Sequence, residues 1–155
     1  MTLSEWIRQL KDVEGAKFEG KNILNRGEAV AFYAARDLCG ELQNVDFYVM
    51  AQVSFGEMFK TVNMEAYLAI NWMRCDVVVI DRFGMAAAVI EVQGSGHFGD
   101  TVEDGFRTCI KDEIKRCVCR SAGVPMLEIA GGKGNVIRDL VRRRLSECLM
   151  LKAVA

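Results

Sequence analysis

The period of the hydrophobic positions changes several times along the chain, and each change marks an element. Leu3, Trp6, Ile7 and Leu10 recur at helical spacing, so residues 3–12 predict an amphipathic helix. A polar, glycine-containing link covers Lys17 to Lys21. A second helix is expected from Arg26 to Leu42, with Ala29, Phe32, Tyr33, Ala35 and Leu38 apolar. Asn25 is a good N-cap, and Glu28 stands where a capping box needs its acid. Residues 44–53 alternate as a strand does. Residues 54–72 are apolar without a clear period and predict a short helix with an irregular connector. From Cys75 to Gln93 two apolar runs flank Arg82-Phe-Gly84, which reads as a β-hairpin. Gly94 to Gly99 is a loop. Residues 101–122 form a long helix, with Val102, Phe106, Ile110, Ile114, Cys117 and Val118 as its apolar stripe. Gly123 and Pro125 end that helix. Residues 124–129 then make a short buried strand, Gly131 to Gly134 a loop, and residues 135–151 a last helix.

This order predicts an α/β fold, a mixed central β-sheet with helices on both faces. The strands on either side of the 101–122 helix should be parallel and joined by a right-handed crossover. No repeat, linker or low-complexity tract divides the chain, and 155 residues suit one domain.

Composition narrows the class. Hydrophobic content of 51% is that of a globular protein, and no apolar run approaches the ~20 residues of a membrane helix. The N-terminal residues lack a basic, then apolar, signal pattern, so a cytoplasmic location and no membrane partner are expected. In that compartment the six cysteines are read as reduced, mostly buried thiols. Cys117-x-Cys119 is not a zinc spacing, and His97, the only histidine, excludes multi-histidine zinc sites. Net charge is −1, but the half from Arg107 onward is basic. That half is either a solvated helix surface or a contact for a polyanion.

The hairpin supplies the candidate chemistry. A turn at Phe83-Gly84 sets Asp76 opposite Glu91 on one face, with Gln93 on the same face. Directly opposed side chains have Cβ atoms roughly 4.5–5.5 Å apart. Two carboxylates that close repel unless a proton or cation intervenes. Val77, Val79, Ile90 and Val92 would then form the core face. Acids near strand ends are also ordinary surface residues, and Glu28 has a sufficient role as a capping residue. Gly131-Gly-Lys-Gly134 lacks the spacing and the Lys-Ser/Thr pair of a phosphate loop. Met58, Met64 and Met73 read as core or as a dimer patch.

In sequence order the chain carries Leu24-Asn25-Arg-Gly-Glu28, Ala51-Gln52-Val53, Arg74-Cys-Asp76 and Ile90-Glu91-Val-Gln-Gly94, followed by His97. Lys111-Asp112-Glu-Ile-Lys115 and Ala122-Gly-Val-Pro-Met-Leu-Glu-Ile129 complete the series. This arrangement resembles the PD-(D/E)XK, or restriction-endonuclease-like, nuclease superfamily. Within it the chain resembles a small bacterial group known as a domain of unknown function. The resemblance spans about residues 24–130, leaving the first and last helices as additions.

The resemblance implies a metal-dependent endonuclease acting on DNA, with Mg2+ or Mn2+ held by Asp76 and Glu91. It implies that Glu28 steadies the site and that Gln93 occupies the third motif position, which is usually lysine. The missing lysine is expected from the following helix, as Lys115 or secondarily Lys111, which share a helical face. Gln52, Arg74, His97, Arg142 and Arg143 are the candidate nucleic-acid contacts. The alternative is a non-catalytic module of the same fold that binds nucleic acid or a protein partner. A third reading is a homodimeric structural subunit that uses the 54–72 segment.

Overall fold

The computed structural model describes residues 2–42, 46–94 and 101–153. The chain runs α1 (Leu3–Glu14), α2 (Arg26–Glu41), β1 (Phe47–Ala51), α3 (Phe55–Met58), α4 (Met64–Ile70), β2 (Val77–Asp81) and β3 (Ala86–Gln93). It ends with α5 (Val102–Ser121), β4 (Met126–Ala130) and α6 (Gly134–Ala153). The four strands form one mixed sheet in the order β1-β2-β3-β4. The first three pair antiparallel, while β4 joins β3 in parallel through α5. The mixed α/β class and the parallel last pair are as the sequence implied. The strand expected over residues 44–53 is shorter, and Gln43 to Val45 lie outside the described residues.

The hairpin register is the expected one: Val77 pairs with Ile90, Val78 with Val89 and Val79 with Ala88. A one-residue shift between Val79 and Ile80 follows, which adds local twist. Asp81 holds the turn, its Oδ1 accepting from the backbone N–H groups of Phe83 and Met85, both at 2.9 Å. Gly84 has φ +79°, a conformation that costs glycine nothing.

One expectation needs correction. The sequence assigned the core to a single hairpin face, but both faces are buried. On one side Val77, Val79, Ala88 and Ile90 pack against Ala31, Ala35 and Leu38 of α2 and Ile137, Val141 and Leu145 of α6. On the other side Val78, Val89 and Cys75 pack with Phe55, Ile70, Met73 and Cys119. Central strands covered on both faces carry near-continuous apolar runs, and Val77-Val-Val-Ile80 is such a run.

The helix expected over residues 3–12 forms as α1. Its capping box forms between Thr2 and Glu5, yet no residue of the helix is buried. Leu3, Trp6, Ile7, Leu10 and Val13 are all exposed, so its apolar stripe serves no core here. The cysteines also depart in part from expectation. Cys39, Cys75 and Cys119 are buried, but Cys109 and Cys117 are exposed, and none of the six is in a disulfide. The methionines divide too: Met73 belongs to the core and Met64 is exposed.

Gly131 has a packing reason unrelated to phosphate. Its N–H donates to the Gln93 carbonyl at 2.6 Å, and a Cβ there would stand 2.4 Å from that oxygen. The glycine lets the chain leaving β4 close on the end of β3.

Candidate acid–lysine site

Glu91 is the polar interruption in the apolar run of β3, and it is 7% exposed. The β3 alternation points it to the α5 side, the face of Val89. From α5, Lys115 reaches over Phe55, with its ammonium 5.7 Å from the ring centroid. Lys115 Nζ donates to Glu91 Oε2 at 2.7 Å, and both side chains are nearly enclosed. Among the described residues nothing donates to the other oxygen, Glu91 Oε1, which is fully buried. A buried carboxylate oxygen without a partner is costly.

Burial pushes the Glu91 carboxyl up to about 7. Lys115 opposes that rise, and Asp76 and Asp112 add to it through charge repulsion. Burial outweighs the ion pair because desolvation acts on the whole carboxylate while Lys115 contacts one oxygen.

Asp76 immediately precedes β2. Its Oδ2 accepts from the Val92 N–H at 2.8 Å, which fixes the carboxylate beside the neighbour of Glu91. Gln52 supports the same turn, its N–H donating to the Asp76 carbonyl at 3.1 Å. Gln52 has φ +56°, an uncommon backbone conformation for a residue with a side chain. The described site therefore joins Asp76, Glu91 and Lys115, with the Gln52 backbone behind Asp76.

The other candidates are placed as follows. Gln93 Nε2 donates to Glu128 Oε1 at 2.9 Å. Arg116 binds both oxygens of Glu128, at 2.9 and 2.7 Å. Glu128 is the β4 partner of Glu91 in the parallel register, so the face carries a second polar cluster beside the first. Glu28 directs both carboxylate oxygens to Asn25, one to its N–H at 2.9 Å and one to its side-chain amide at 2.6 Å. The observed role of Glu28 is thus the capping box.

Lys111 holds its ammonium 5.2 Å from the Trp72 ring centroid. It lines a cleft with Arg74, Asp112 and Lys115. Arg142 pairs with Glu41 and, with Arg143, belongs to α6, which packs with α2 on the opposite side of the sheet. The structure does not gather those two arginines with the acids. His97 lies outside the described residues.

Sequence reasoning missed Glu128, Asp112 and Trp72. Glu128 could have been found by laying β4 beside β3 in parallel register. Asp112 stood between the two candidate lysines with no role assigned to it, yet it is 9% exposed. Trp72 stood in a segment without usable periodicity.

Asp76 and Glu91, coupled through charge, are the carboxylates that could hold a hard divalent cation, and one oxygen of Glu91 has no partner among the described residues. Mg2+ is commonly held by one or two carboxylates, with water and substrate oxygens completing the shell. Among the described residues no group of three or more His, Cys, Asp or Glu could hold a metal ion.

Comparison with known proteins gives a consistent result. A family of proteins of unknown function, DUF2726, matches residues 20–147. An uncharacterised protein of Haemophilus influenzae is 33% identical over 135 residues, covering 87% of this chain and 67% of that protein. The uncharacterised protein y4bI of Sinorhizobium fredii is 31% identical over 135 residues, covering 87% and 91%. No solved structure matches significantly. Among the described residues no helix is long and apolar enough to cross a membrane.

Proposed function

The chain belongs to the DUF2726 family of proteins of unknown function, and from the site it carries we propose that it is a metal-dependent nuclease hydrolysing phosphodiester bonds in DNA. One observation carries the reading. The buried Glu91 has Lys115 on one oxygen and no partner among the described residues on the other, and Asp76 is close enough to raise its pKa. Asp76 and Glu91 are the residues to hold Mg2+ or Mn2+. When bound, such an ion polarises a phosphate and lowers the pKa of an attacking water.

The chain's own groups supply the rest. The Val92 N–H orients Asp76. Lys115 carries a positive charge against the acids and can turn it toward a phosphate oxygen as negative charge develops there. Gln93 is anchored through Glu128 and Arg116, so its amide position is fixed. The order of these residues supports a place in the PD-(D/E)XK superfamily, with Lys115 of α5 standing in for the strand lysine that Gln93 replaces.

A second reading is favoured by the same ion pair. Lys115 already satisfies half of Glu91, as a purely structural pair would, and a non-catalytic nucleic-acid-binding module would keep it.

Nicking of supercoiled plasmid in Mg2+ or Mn2+ separates the two. The wild type should nick, and Asp76→Ala and Lys115→Ala should each lose about 100-fold or more in rate. Absence of nicking by folded wild-type protein that binds the plasmid would overturn the nuclease reading and select the binding module.

A further inference from the structure

Beside the acid–lysine site lies a cleft of about 440 Å3 whose wall includes Trp72, Arg74, Thr108, Lys111, Asp112 and Lys115. Lys115 belongs to both, lining the cleft and bonding Glu91. Arg74 is two residues before Asp76, and its backbone bridges Ser54. The wall carries Arg74 and Lys111 beside Asp112, with Lys115 already bonded to Glu91, so its charge leans toward an anion. The volume of the cleft lies in the range of sites for a small ligand or one nucleotide.

Trp72 adds a second feature. Its side chain is 59% exposed although it stands between α4 and β2, directly before the buried Met73. The Lys111 ammonium stands over the indole. An exposed indole with a cation over one of its faces offers a nucleotide a flat ring and a charge for its phosphate. Stacking needs a base whose face is free. In a duplex both faces of each base are taken by its neighbours, so an indole on a cleft wall can reach only an unpaired base. Stacking is also tolerant of base identity, because every base has a π-face. A chain of this size needs no separate recognition domain for such a substrate.

We propose that this cleft binds single-stranded nucleic acid, with one base stacked on Trp72 and the adjoining phosphates held by Arg74 and Lys111. The strand then continues past Lys115 toward Asp76 and Glu91. The inference rests on the nuclease reading for what happens to that strand, but binding is separable from cleavage.

The test uses the full chain in EDTA at low salt, where no metal-dependent cleavage occurs, and fluorescence anisotropy of fluorescein-labelled oligonucleotides. A dT 12-mer should bind at least about tenfold more tightly than a 12-base-pair duplex. Trp72→Ala should weaken the 12-mer about tenfold, equivalent to about 1.4 kcal/mol, with the circular dichroism of the wild type retained. Trp72→Phe, which keeps a smaller ring, should fall between them. Lys111→Ala should weaken binding and reduce its salt dependence, while Lys17→Ala, which removes an exposed cation outside the cleft, should do neither. In a Trp6→Phe background Trp72 is the sole tryptophan, and its fluorescence should be quenched by the unlabelled 12-mer.

Equal affinity for duplex and single strand would overturn the proposal. So would unchanged affinity in Trp72→Ala, or dTMP binding as tight as the 12-mer. Plasmid nicking lost in Asp76→Ala but with no single-strand preference would sink the cleft proposal and leave the nuclease standing. Single-strand binding through Trp72 without nicking would sustain the cleft and remove the nuclease.

Discussion

The two faces of the sheet are built from the same strands to opposite ends. Toward α2 and α6 the packing is aliphatic, with alanines and branched side chains from two long helices closing on Val77, Val79 and Ile90. Among the described residues no charged side chain is buried in that cluster. Toward α5 the cover is one long helix with the short α3 and α4, and the buried set is smaller. That face contains Glu91, Lys115 and Asp112, as well as the cleft. Work is divided between them: one face supplies the hydrophobic free energy that tolerates desolvated charge on the other. Burial of an aliphatic side chain contributes about 1.5–3 kcal/mol, enough to offset an imperfectly paired carboxylate several residues away.

The largest expected effect breaks the apolar face. Leu145 is fully buried in α6, and Leu145→Ala should cost about 2–5 kcal/mol of unfolding free energy in urea titration. If α2 and α6 provide the support, single-strand binding by the folded fraction should be unaffected. A loss confined to binding, with stability intact, would contradict the division.

A smaller effect tests the polar face through pH. The Glu91 carboxyl titrates at about 7 in the folded chain against an ordinary value of 4.5. The folded state therefore holds a proton that the unfolded state has lost throughout that window. Stability should fall as pH rises from about 4.5 to about 7, with a slope approaching about 1.4 kcal/mol per pH unit, and level off above. Glu91→Gln should remove this slope. Mn2+ favours the carboxylate, so its stabilisation of the wild type should grow as pH rises through about 7 and be absent in Glu91→Gln, as read by thermal unfolding. A wild-type stability curve parallel to that of Glu91→Gln would show that Lys115 keeps the acid ionised throughout.

The smallest effect sharpens the boundary between the faces. Glu28→Gln preserves the capping box and removes the charge. Unfolding free energy should change by less than about 0.5 kcal/mol, and the Mn2+ response should be unchanged. A diminished Mn2+ response would place Glu28 in the metal site as well as at the helix start.

Much of the fold was legible because local rules fixed it. Asn25 and Glu28 specify the start of α2 through a contact only three residues long. The Asp81–Gly84 turn fixes the hairpin register, and the alternation of strand side chains then puts Glu91 on a definite face. The identity of Lys115 as the partner of Glu91 was legible in part, because spacing on α5 left Lys111 as a second candidate. Three-dimensional packing separated them: Lys115 faces Glu91 and Phe55, whereas Lys111 lies over Trp72.

By itself the sequence determined the order of elements outside residues 54–72 and the hairpin register, since each depends on neighbours along the chain or across one turn. Only the tertiary structure decided that the acid face is buried, because desolvation of Glu91 depends on helices packed from distant segments. It also decided that Glu128 and Arg116 anchor Gln93, that Arg142 and Arg143 lie on the opposite side of the sheet, and that the apolar stripe of α1 remains exposed. A hydrophobic period states that a surface can be buried, and the partner that buries it is set by contacts no local pattern encodes.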